Sequence, residues 1–311
     1  MYLKMPYFRR QMASDKLFIT FAKDHDLCFF TLIVCIIETT DFILLLISGL
    51  LGGFIGGMLG IGGAPVFIAF FWYVIPDYCG TEVSDSDLTQ LVIANTVFVR
   101  TFAAFIGFWK HYQLGNFYWK TVRTISIPAT IVSIFCIWIL SKFHYSKTAF
   151  SISFIIIFIP LLYRMLKFDA NQKAFNQPYR IKVIYLNLLG IVCGLVTALS
   201  GLGAGFVILP LMNSFFNIKI RKTASISLGV IFISSLFVII YYFIFPPLSA
   251  PVPHAVGAIL LPVTLPVVAA SFFSSSYGVS FSRRLSPHTL QKCFILFCVV
   301  LIVHELWVLF A

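Results

Sequence analysis

Two stretches of the chain, residues 56–69 (GGMLGIGGAPVFIA) and 197–210 (TALSGLGAGFVILP), lie inside its two longest apolar segments. Those segments, 42–76 and 183–216, would each measure about 50 Å as one continuous helix, well beyond the ~30 Å hydrocarbon core of a bilayer. Clustered glycines interrupt helices, and Pro65 suits the first turn of a new helix because its missing N–H is not needed there. The sequence therefore predicts a glycine-broken helix or a helical hairpin at each cluster.

The two long segments also correspond to each other. At an offset of 141, without a gap, four glycines of the first segment fall on four glycines of the second. The pairs are Gly49 and Gly190, Gly53 and Gly194, Gly60 and Gly201, and Gly62 and Gly203. Four matches in register indicate an internal repeat, as many transporters have. The predicted parts are an N-terminal extension (1–41), a first transmembrane repeat (42–167), a polar linker (168–182) and a second transmembrane repeat (183–311).

The composition is that of a membrane protein. Apolar residues make up 60% of the 311 residues and charged residues only 11%, less than half of the ~25% found in soluble domains. The apolar runs are continuous rather than alternating, which is typical of membrane helices and not of barrel strands. We therefore expect an all-α, multi-pass helical bundle in the cell membrane, of the inner or plasma-membrane type. Its apolar runs are 42–76, 88–109, 121–140, 146–166, 183–216, 222–245, 255–279 and 289–311.

The net charge of +11 does not indicate a nucleic-acid partner, because the basic residues lie in the short links between apolar runs. If each glycine-broken segment is a hairpin, each half has five legs and the two halves are inverted. One side then holds fourteen lysines and arginines and the other side holds Lys142 and Lys147, whereas parallel halves give eight against eight. The positive-inside rule favours inverted repeats. The links on the basic, cytoplasmic side are 109–123, 164–182, 216–222 and 280–292.

The glycine breaks are the predicted substrate site. Where a helix is interrupted inside a membrane, the free N–H groups at the start of the next half-helix carry partial positive charge and can bind an anion. Two related breaks at corresponding positions point to a central site between the repeats. Alternatively, these glycines only allow close helix packing. The backbone runs 60–64 and 201–205 supply the donors, and the candidate glycines are Gly60, Gly62, Gly63, Gly201, Gly203 and Gly205.

Three hydroxyl groups and one arginine complete the candidate set. Thr96, Ser200 and Ser227 lie in the broken segments or in the runs that follow them. Arg100 lies near the middle of the run 88–109, where a charge costs at least ~2.5 kcal/mol. We expect it to face the protein interior, where it could hold an anion or a carboxylate. Equally, it could be a structural arginine that binds the carbonyl groups at a helix end.

Several of these motifs carry a family resemblance. GMLGIGG (57–63) pairs with LSGLGAGFVILP (199–210), NTV (95–97) pairs with ISL (226–228), and RRLSP (283–287) precedes the last apolar run. They are similar to the paired glycine signatures, the small polar patches and the basic turn of the TauE/SafE sulfite-exporter family. The resemblance covers about residues 42–311 and implies a duplicated membrane transporter, whose best-known relatives are linked to export of sulfite and organosulfonates. The departures from the pattern are Ala64 and Ala204 in place of glycines, and Ala69 opposite Pro210.

These features predict a secondary transporter or facilitator for a small anion, and the resemblance implies sulfur-containing oxyanions and export. A non-transporting membrane scaffold or accessory subunit is the alternative. An enzyme has less support, because no acid–base pair lies in the core and no Walker, HExxH or GxSxG motif occurs. The seven cysteines form no CxxC and no Cys/His cluster. We therefore expect no catalytic residue, metal or cofactor, and the expected partners are the anion and the lipid bilayer.

Overall fold

The computed structural model describes residues 39–79, 83–115, 118–142, 147–167, 181–216, 218–246, 248, 252 and 255–310. Most of the extension 1–41 and of the linker 168–182 lies outside the described residues. A small antiparallel hairpin, β1 (Ala255–Val256) and β2 (Ile259–Leu260), accompanies the helices. The helices are α1 (Thr39–Leu59), α2 (Ala64–Cys79), α3 (Asp85–Gln113), α4 (Trp119–Leu140), α5 (Lys147–Lys167), α6 (Val183–Ser200), α7 (Gly205–Phe216), α8 (Ile220–Ile244), α9 (Leu261–Ser282) and α10 (Pro287–Phe310).

Within the described residues, eight helices are long and apolar enough to cross a membrane, and α2 and α7 are the two shorter ones. With 16 and 12 residues, these two measure about 24 and 18 Å, less than the hydrocarbon core. Large apolar side chains on the outside of the bundle, such as Ile131, Ile156 and Phe273, are more than half exposed, as lipid-facing residues are. The chain is a multi-pass integral membrane protein, and the prediction of an all-α bundle is confirmed.

Local sequence explains the ends of two helices next to the centre. α3 begins after Ser84, whose Oγ accepts a hydrogen bond from the Asp87 N–H at 3.2 Å. Asp85 and Asp87 lie in the first turn, where negative charge is favoured by the helix dipole. α6 ends at Gly201, whose backbone is left-handed with φ +63°, a conformation that glycine adopts without steric cost.

Each glycine cluster turns the chain back on itself. In the first half, Gly63 lies against the carbonyl of Gly52, and the ring of Phe67 on α2 packs beside the same glycine. In the second half, the Sγ of Cys193, in the middle of α6, lies 3.8 Å from the carbonyl oxygen of Ala204. Both short helices also pack on the helix before them. The structure thus has a helical hairpin in each half.

Each of the first five helices has a counterpart five places later in the chain, such as α6 for α1. The main helix contacts stay the same when each helix is replaced by its counterpart. α1 packs on α9 as α6 packs on α4, α3 packs on α9 as α8 packs on α4, and α3 contacts α8 in the middle. Helical glycines permit the first of these contacts. A Cβ on Gly49 would lie 2.6 Å from the Val267 carbonyl oxygen of α9, and one on Gly190 would lie 2.5 Å from the Ile125 carbonyl oxygen of α4. At these two positions glycine serves close helix packing.

α3 and α8 form the central pair and run antiparallel. Phe98 packs against Phe243 with 6.3 Å between ring centres, and Phe105 packs against Phe232 at 5.0 Å. Residue numbers therefore rise along one helix as they fall along the other. Each helix is the third in its half of the chain, so this one pair of corresponding helices runs in opposite directions.

The basic links meet on one face of the bundle. Neighbouring links contact each other through the Lys222 ammonium over the Tyr118 ring at 5.3 Å, Arg221 Nη2 donating to the Leu285 carbonyl at 2.5 Å, and Gln291 Nε2 donating to the Met165 carbonyl at 2.9 Å. These contacts bring together the ends of the four links that the sequence assigns to one side of the membrane.

The opposite face carries the β1–β2 hairpin. Asn95 of α3 holds this hairpin, because its Oδ1 accepts the Leu260 N–H at 2.7 Å and its Nδ2 donates to the Ala258 carbonyl at 3.2 Å. The apolar run 255–279 was expected to be helical throughout, but its first six residues form the hairpin instead. The backbone of Gly257, at φ +65°, makes a turn that a right-handed helix cannot contain.

Candidate functional site

The first break, residues 60–63, is closed by hydrogen bonds on both sides. Three successive N–H groups, beginning with that of Gly60, point to the carbonyl of Gly56 at 2.9–3.4 Å. From α8, the Ser227 Oγ donates to the carbonyl of Gly60 at 2.6 Å. Three residues have left-handed backbone, with φ between +75° and +78°, where a side chain would be strained. They are Gly60, Gly62 and Gly63.

The second break, residues 201–204, has a similar backbone. Gly201 and Gly203 are left-handed, with φ +63° and +88°. The Ser200 Oγ donates to a carbonyl of its own helix at 2.7 Å and accepts the N–H of Leu202 at 3.4 Å. Ser200 therefore supports the end of α6. The carbonyl of Gly201 is held from α3, by an arginine rather than by a serine.

That arginine is Arg100, which is fully buried. Its Nη1 donates to the Gly201 carbonyl and its Nε donates to the Ser235 Oγ of α8 at 3.2 Å. Its Nη2 has no hydrogen-bond partner. Among the described residues no carboxylate pairs with Arg100, whose hydrogen-bond partners are the Gly201 carbonyl and the Ser235 hydroxyl. Arg100 thus binds a helix-end carbonyl, which is one of its two predicted roles. Its Nη2 stays free for the other predicted role, which is to hold an anion or a carboxylate.

The two breaks meet at the centre of the bundle. A Cβ on Gly205, the first residue of α7, would lie 2.7 Å from the Cα of Ile61 and 3.1 Å from the Ser227 Oγ. A Cβ on Gly203 would lie 2.8 Å from Arg100 Nη1. The start of α7 therefore touches the first break on one side, and the second break touches the guanidinium group on the other.

Two further buried hydroxyl groups near Arg100 have no partner. Thr96 lies one helical turn before Arg100 on α3, and its Oγ1 makes no hydrogen bond. Tyr242 lies on α8, two turns beyond Ser235, and its Oη also makes none. Both side chains are fully buried. Unpaired buried polar groups are rare and often mark a missing ligand or water.

The residues of α3 and α8 that contact the breaks correspond to each other, because adding 131 to the number of each α3 residue gives its α8 counterpart. In the second half, the first break contacts Ala224 (at Gly60), Ser227 (at the Gly60 carbonyl) and Ile231 (at Gly62). In the first half, the second break contacts Ile93 (at Gly201) and Arg100 (at the Gly201 carbonyl and Gly203), with Thr96 in the remaining place. Arg100 therefore occupies the place that Ile231 has in the other half.

The structure brings together part of the predicted residue set. Gly62, Gly203 and Gly205 face the central side chains of α3 and α8, whereas Gly63 packs against α1. Sequence reasoning missed Tyr242 and Ser235, which lie in an apolar run without a distinguishing pattern. Only the antiparallel crossing of α3 and α8 places them beside Arg100. Besides Gly60, Gly62 and Gly63 of the first break itself, the predicted residues next to Arg100 or to that break are Thr96, Gly201, Gly203, Gly205 and Ser227.

The site is closed in this conformation. Arg100 and Thr96 have no exposed surface. A small pocket of about 10 Å³, room for roughly one water, lies between the first break and the basic face. Arg221, whose Nη2 donates to the carbonyls of Arg283 and Leu285, lines this pocket. Arg100 and Thr96 are therefore out of contact with solvent in this conformation.

Comparisons with known proteins agree on the type of protein. The family model described as "Sulfite exporter TauE/SafE" matches residues 45–304. A "Probable membrane transporter protein" of Haemophilus influenzae is 26% identical over 270 residues, which are 85% of this chain and 98% of that protein. A protein of Methanocaldococcus jannaschii with the same description is 25% identical over 251 residues, 80% of this chain and 89% of that one. No solved structure gave a significant match.

Proposed function

Because the chain belongs to the sulfite exporter TauE/SafE family, we propose that it moves a small anion of the sulfur-oxyanion type out of the cell, as a secondary transporter or facilitator. It is a membrane transporter by family and by its eight candidate spans. The observation that carries the anion assignment is Arg100. A fully buried positive charge with a free Nη2 and no described carboxylate partner requires a counter-charge, and a transported anion can supply it.

Backbone N–H groups contribute to the same site in this proposal. The first N–H groups of α2 and α7 have no partner within their own helices, and the positive ends of both helix dipoles lie at the breaks. Those N–H groups of the runs 60–64 and 201–205 that do not already donate to a protein acceptor would bind the anion, together with Thr96 and Arg100. Ser200 and Ser227 would hold the break backbone in place through their observed hydrogen bonds.

The proposed architecture is an inverted repeat that works by alternating access. The antiparallel crossing of α3 and α8, the exchangeable helix contacts and the hairpin in each half support it. Halves of this kind can rock against each other around a central site and open it to one side at a time. The face with the basic links would be cytoplasmic.

Transport assays test the function. Purified protein is reconstituted into lipid vesicles, and the vesicles are loaded with sulfite, sulfoacetate, thiosulfate or sulfate. Efflux of the anion is then followed for the wild type and for Arg100→Gln. We expect faster efflux of at least one of these anions from wild-type vesicles than from protein-free vesicles. The Arg100→Gln variant should lose this efflux. Wild-type vesicles that release none of the four anions would leave the scaffold or accessory-subunit alternative.

Cysteine labelling tests the orientation. On a background without native cysteines, a membrane-impermeant maleimide applied to intact cells should label Ala250→Cys and leave Lys219→Cys unlabelled. After the cells are opened, both should react, which controls for accessibility. Labelling of position 219 in intact cells together with protection of position 250 would overturn the orientation.

A further inference from the structure

The unpaired buried donors of the bundle centre are not shared equally by the two breaks. Arg100 Nη2, Thr96 Oγ1 and Tyr242 Oη are all fully buried and unpaired. Arg100 binds the carbonyl of Gly201 with its guanidinium group, which would lie 2.8 Å from a Cβ on Gly203, whereas only its Cβ, at 3.9 Å, comes near the Cβ position of Gly62. Phe98 packs against Phe243 across the antiparallel crossing, which places Thr96 within about one helical turn of the level of Tyr242. Three unpaired donors of different chemistry thus lie on the facing helices α3 and α8, and Arg100 among them contacts the second break.

The first break has no such set. Its carbonyl at Gly60 already accepts from Ser227, and the position that corresponds to Arg100 is Ile231, whose side chain packs on Gly62 at 3.4 Å from the Cβ position. Its short helix also offers fewer donors, because Pro65 has no N–H where α7 has Phe206 at the matching position. The first break therefore has a satisfied carbonyl at Gly60 and an apolar side chain at Gly62, where the second break has the guanidinium group of Arg100.

The charge available at the second break is a single positive one. After Asp87 the sequence contains only two acidic residues, Asp169 and Glu305, and neither belongs to α3, α7 or α8. In the apolar run 88–109 of α3, Arg100 is accompanied by no lysine or second arginine, and α7 contains neither residue type. One anionic charge neutralises this centre, whereas a second anionic charge would be buried without compensation, which is strongly unfavourable.

We infer that the transporter has one anion site, formed at the second break by Arg100, Thr96, Tyr242 and the first N–H groups of α7, and that this site selects a small oxyanion with a single negative charge. The inference rests on the proposed function and narrows it. The guanidinium Nη2 and the two hydroxyl groups each donate to an oxygen of the anion, and the positive end of α7 faces it. The first break is its structural counterpart, which holds the fold of the first half without binding the ligand.

Two tetrahedral sulfur oxyanions that differ in charge test the selectivity. Methanesulfonate carries one negative charge and sulfate carries two. Binding to the purified full-length protein in lipid nanodiscs is measured by calorimetry. We expect methanesulfonate to bind at least about tenfold more tightly than sulfate. Arg100→Gln should weaken methanesulfonate binding about ten- to a hundredfold and should weaken sulfate binding at least as much.

Matched variants on the same helices test the hydroxyl groups. Thr96→Val and Tyr242→Phe should each weaken methanesulfonate binding about three- to tenfold. Thr101→Val and Tyr241→Phe are the controls. The Thr101 Oγ1 donates only to the Val97 carbonyl of its own helix at 2.6 Å, and Tyr241 is only partly buried. Binding to the controls should stay within about twofold of the wild type, and elution as a single peak with an unchanged unfolding temperature shows that each variant is folded.

The outcomes separate the inference from the function on which it rests. Equal binding of sulfate and methanesulfonate by the wild type, or equal effects of the test and control variants, overturns the inference. Wild-type-like binding by folded Arg100→Gln also overturns it, while flux in the vesicles would still support the proposed function. A wild type that neither binds nor transports any of the anions overturns both.

Discussion

The two glycine breaks have similar backbone conformations and differ in the side chain that donates a hydrogen bond to each break. In the first break the carbonyl of Gly60 accepts from a serine, and in the second break the carbonyl of Gly201 accepts from an arginine. Thr96, which corresponds to that serine, is left without a partner. The second break therefore differs from the first by a charged side chain, Arg100 in place of Ile231, and by an unpaired hydroxyl group. A duplicated scaffold can become an asymmetric site through such differences.

The largest effect should come from filling the second break. Gly203→Leu requires a side chain at φ +88° and directs its Cβ to within 2.8 Å of Arg100 Nη1. We expect anion binding and flux to fall below detection while membrane insertion and expression persist. The comparison variant is Gly62→Leu, where the nearest atom to the new Cβ is the Ile231 Cδ1 at 3.4 Å.

Gly62→Leu should also stop transport, because it strains the backbone at φ +78°, but it should leave more of the anion binding than Gly203→Leu does. Flux in vesicles, calorimetric binding and fluorescence-detected gel filtration separate these effects. If expression and flux fall together in both variants, the glycines serve packing alone.

A second experiment makes the two breaks alike. In Arg100→Ile the carbonyl of Gly201 loses its donor, and Thr96 is placed to take over as Ser227 does at Gly60. We expect lost transport with nearly wild-type stability. Adding Thr96→Val should then cost about 1–3 kcal/mol, the penalty of an unsatisfied buried carbonyl.

The matching control is Thr96→Val alone, which should change stability little because Arg100 still holds the Gly201 carbonyl. Unfolding of all four proteins in one detergent gives the coupling energy between the two positions. Additive costs would show that Thr96 cannot replace Arg100 at this carbonyl.

The smallest effect is expected at the serine of the first break. Ser227→Ala removes the donor to the Gly60 carbonyl and should lower the free energy of unfolding by about 1–3 kcal/mol. Its effect on anion affinity should be smaller than that of Thr96→Val. Ser234→Ala is the control, because the Ser234 Oγ donates only within α8. A larger loss of affinity in Ser227→Ala than in Thr96→Val would place the ligand at both breaks.

Much of the membrane architecture could be predicted from the sequence. Hydrophobic length and the scarcity of charge indicate membrane helices because unpaired backbone and charge are costly in lipid. Glycine clusters such as 60–63 marked the breaks, since only glycine adopts left-handed backbone at low cost. The motif resemblance was confirmed by the family model. The β1–β2 hairpin was not foreseen, because the residues around Gly257 are as apolar as those of the helix that follows.

The amino-acid sequence by itself determined the helices, the two breaks and the presence of one arginine among apolar residues, because all three depend on local composition. It left two roles open for Arg100, and it contained nothing that marked Tyr242 or Ser235. Tertiary structure decided these points, since the antiparallel crossing of α3 and α8 joins residues more than 130 positions apart. Which hydroxyl is satisfied and which is free depends on that crossing, and no periodicity along a single helix encodes it.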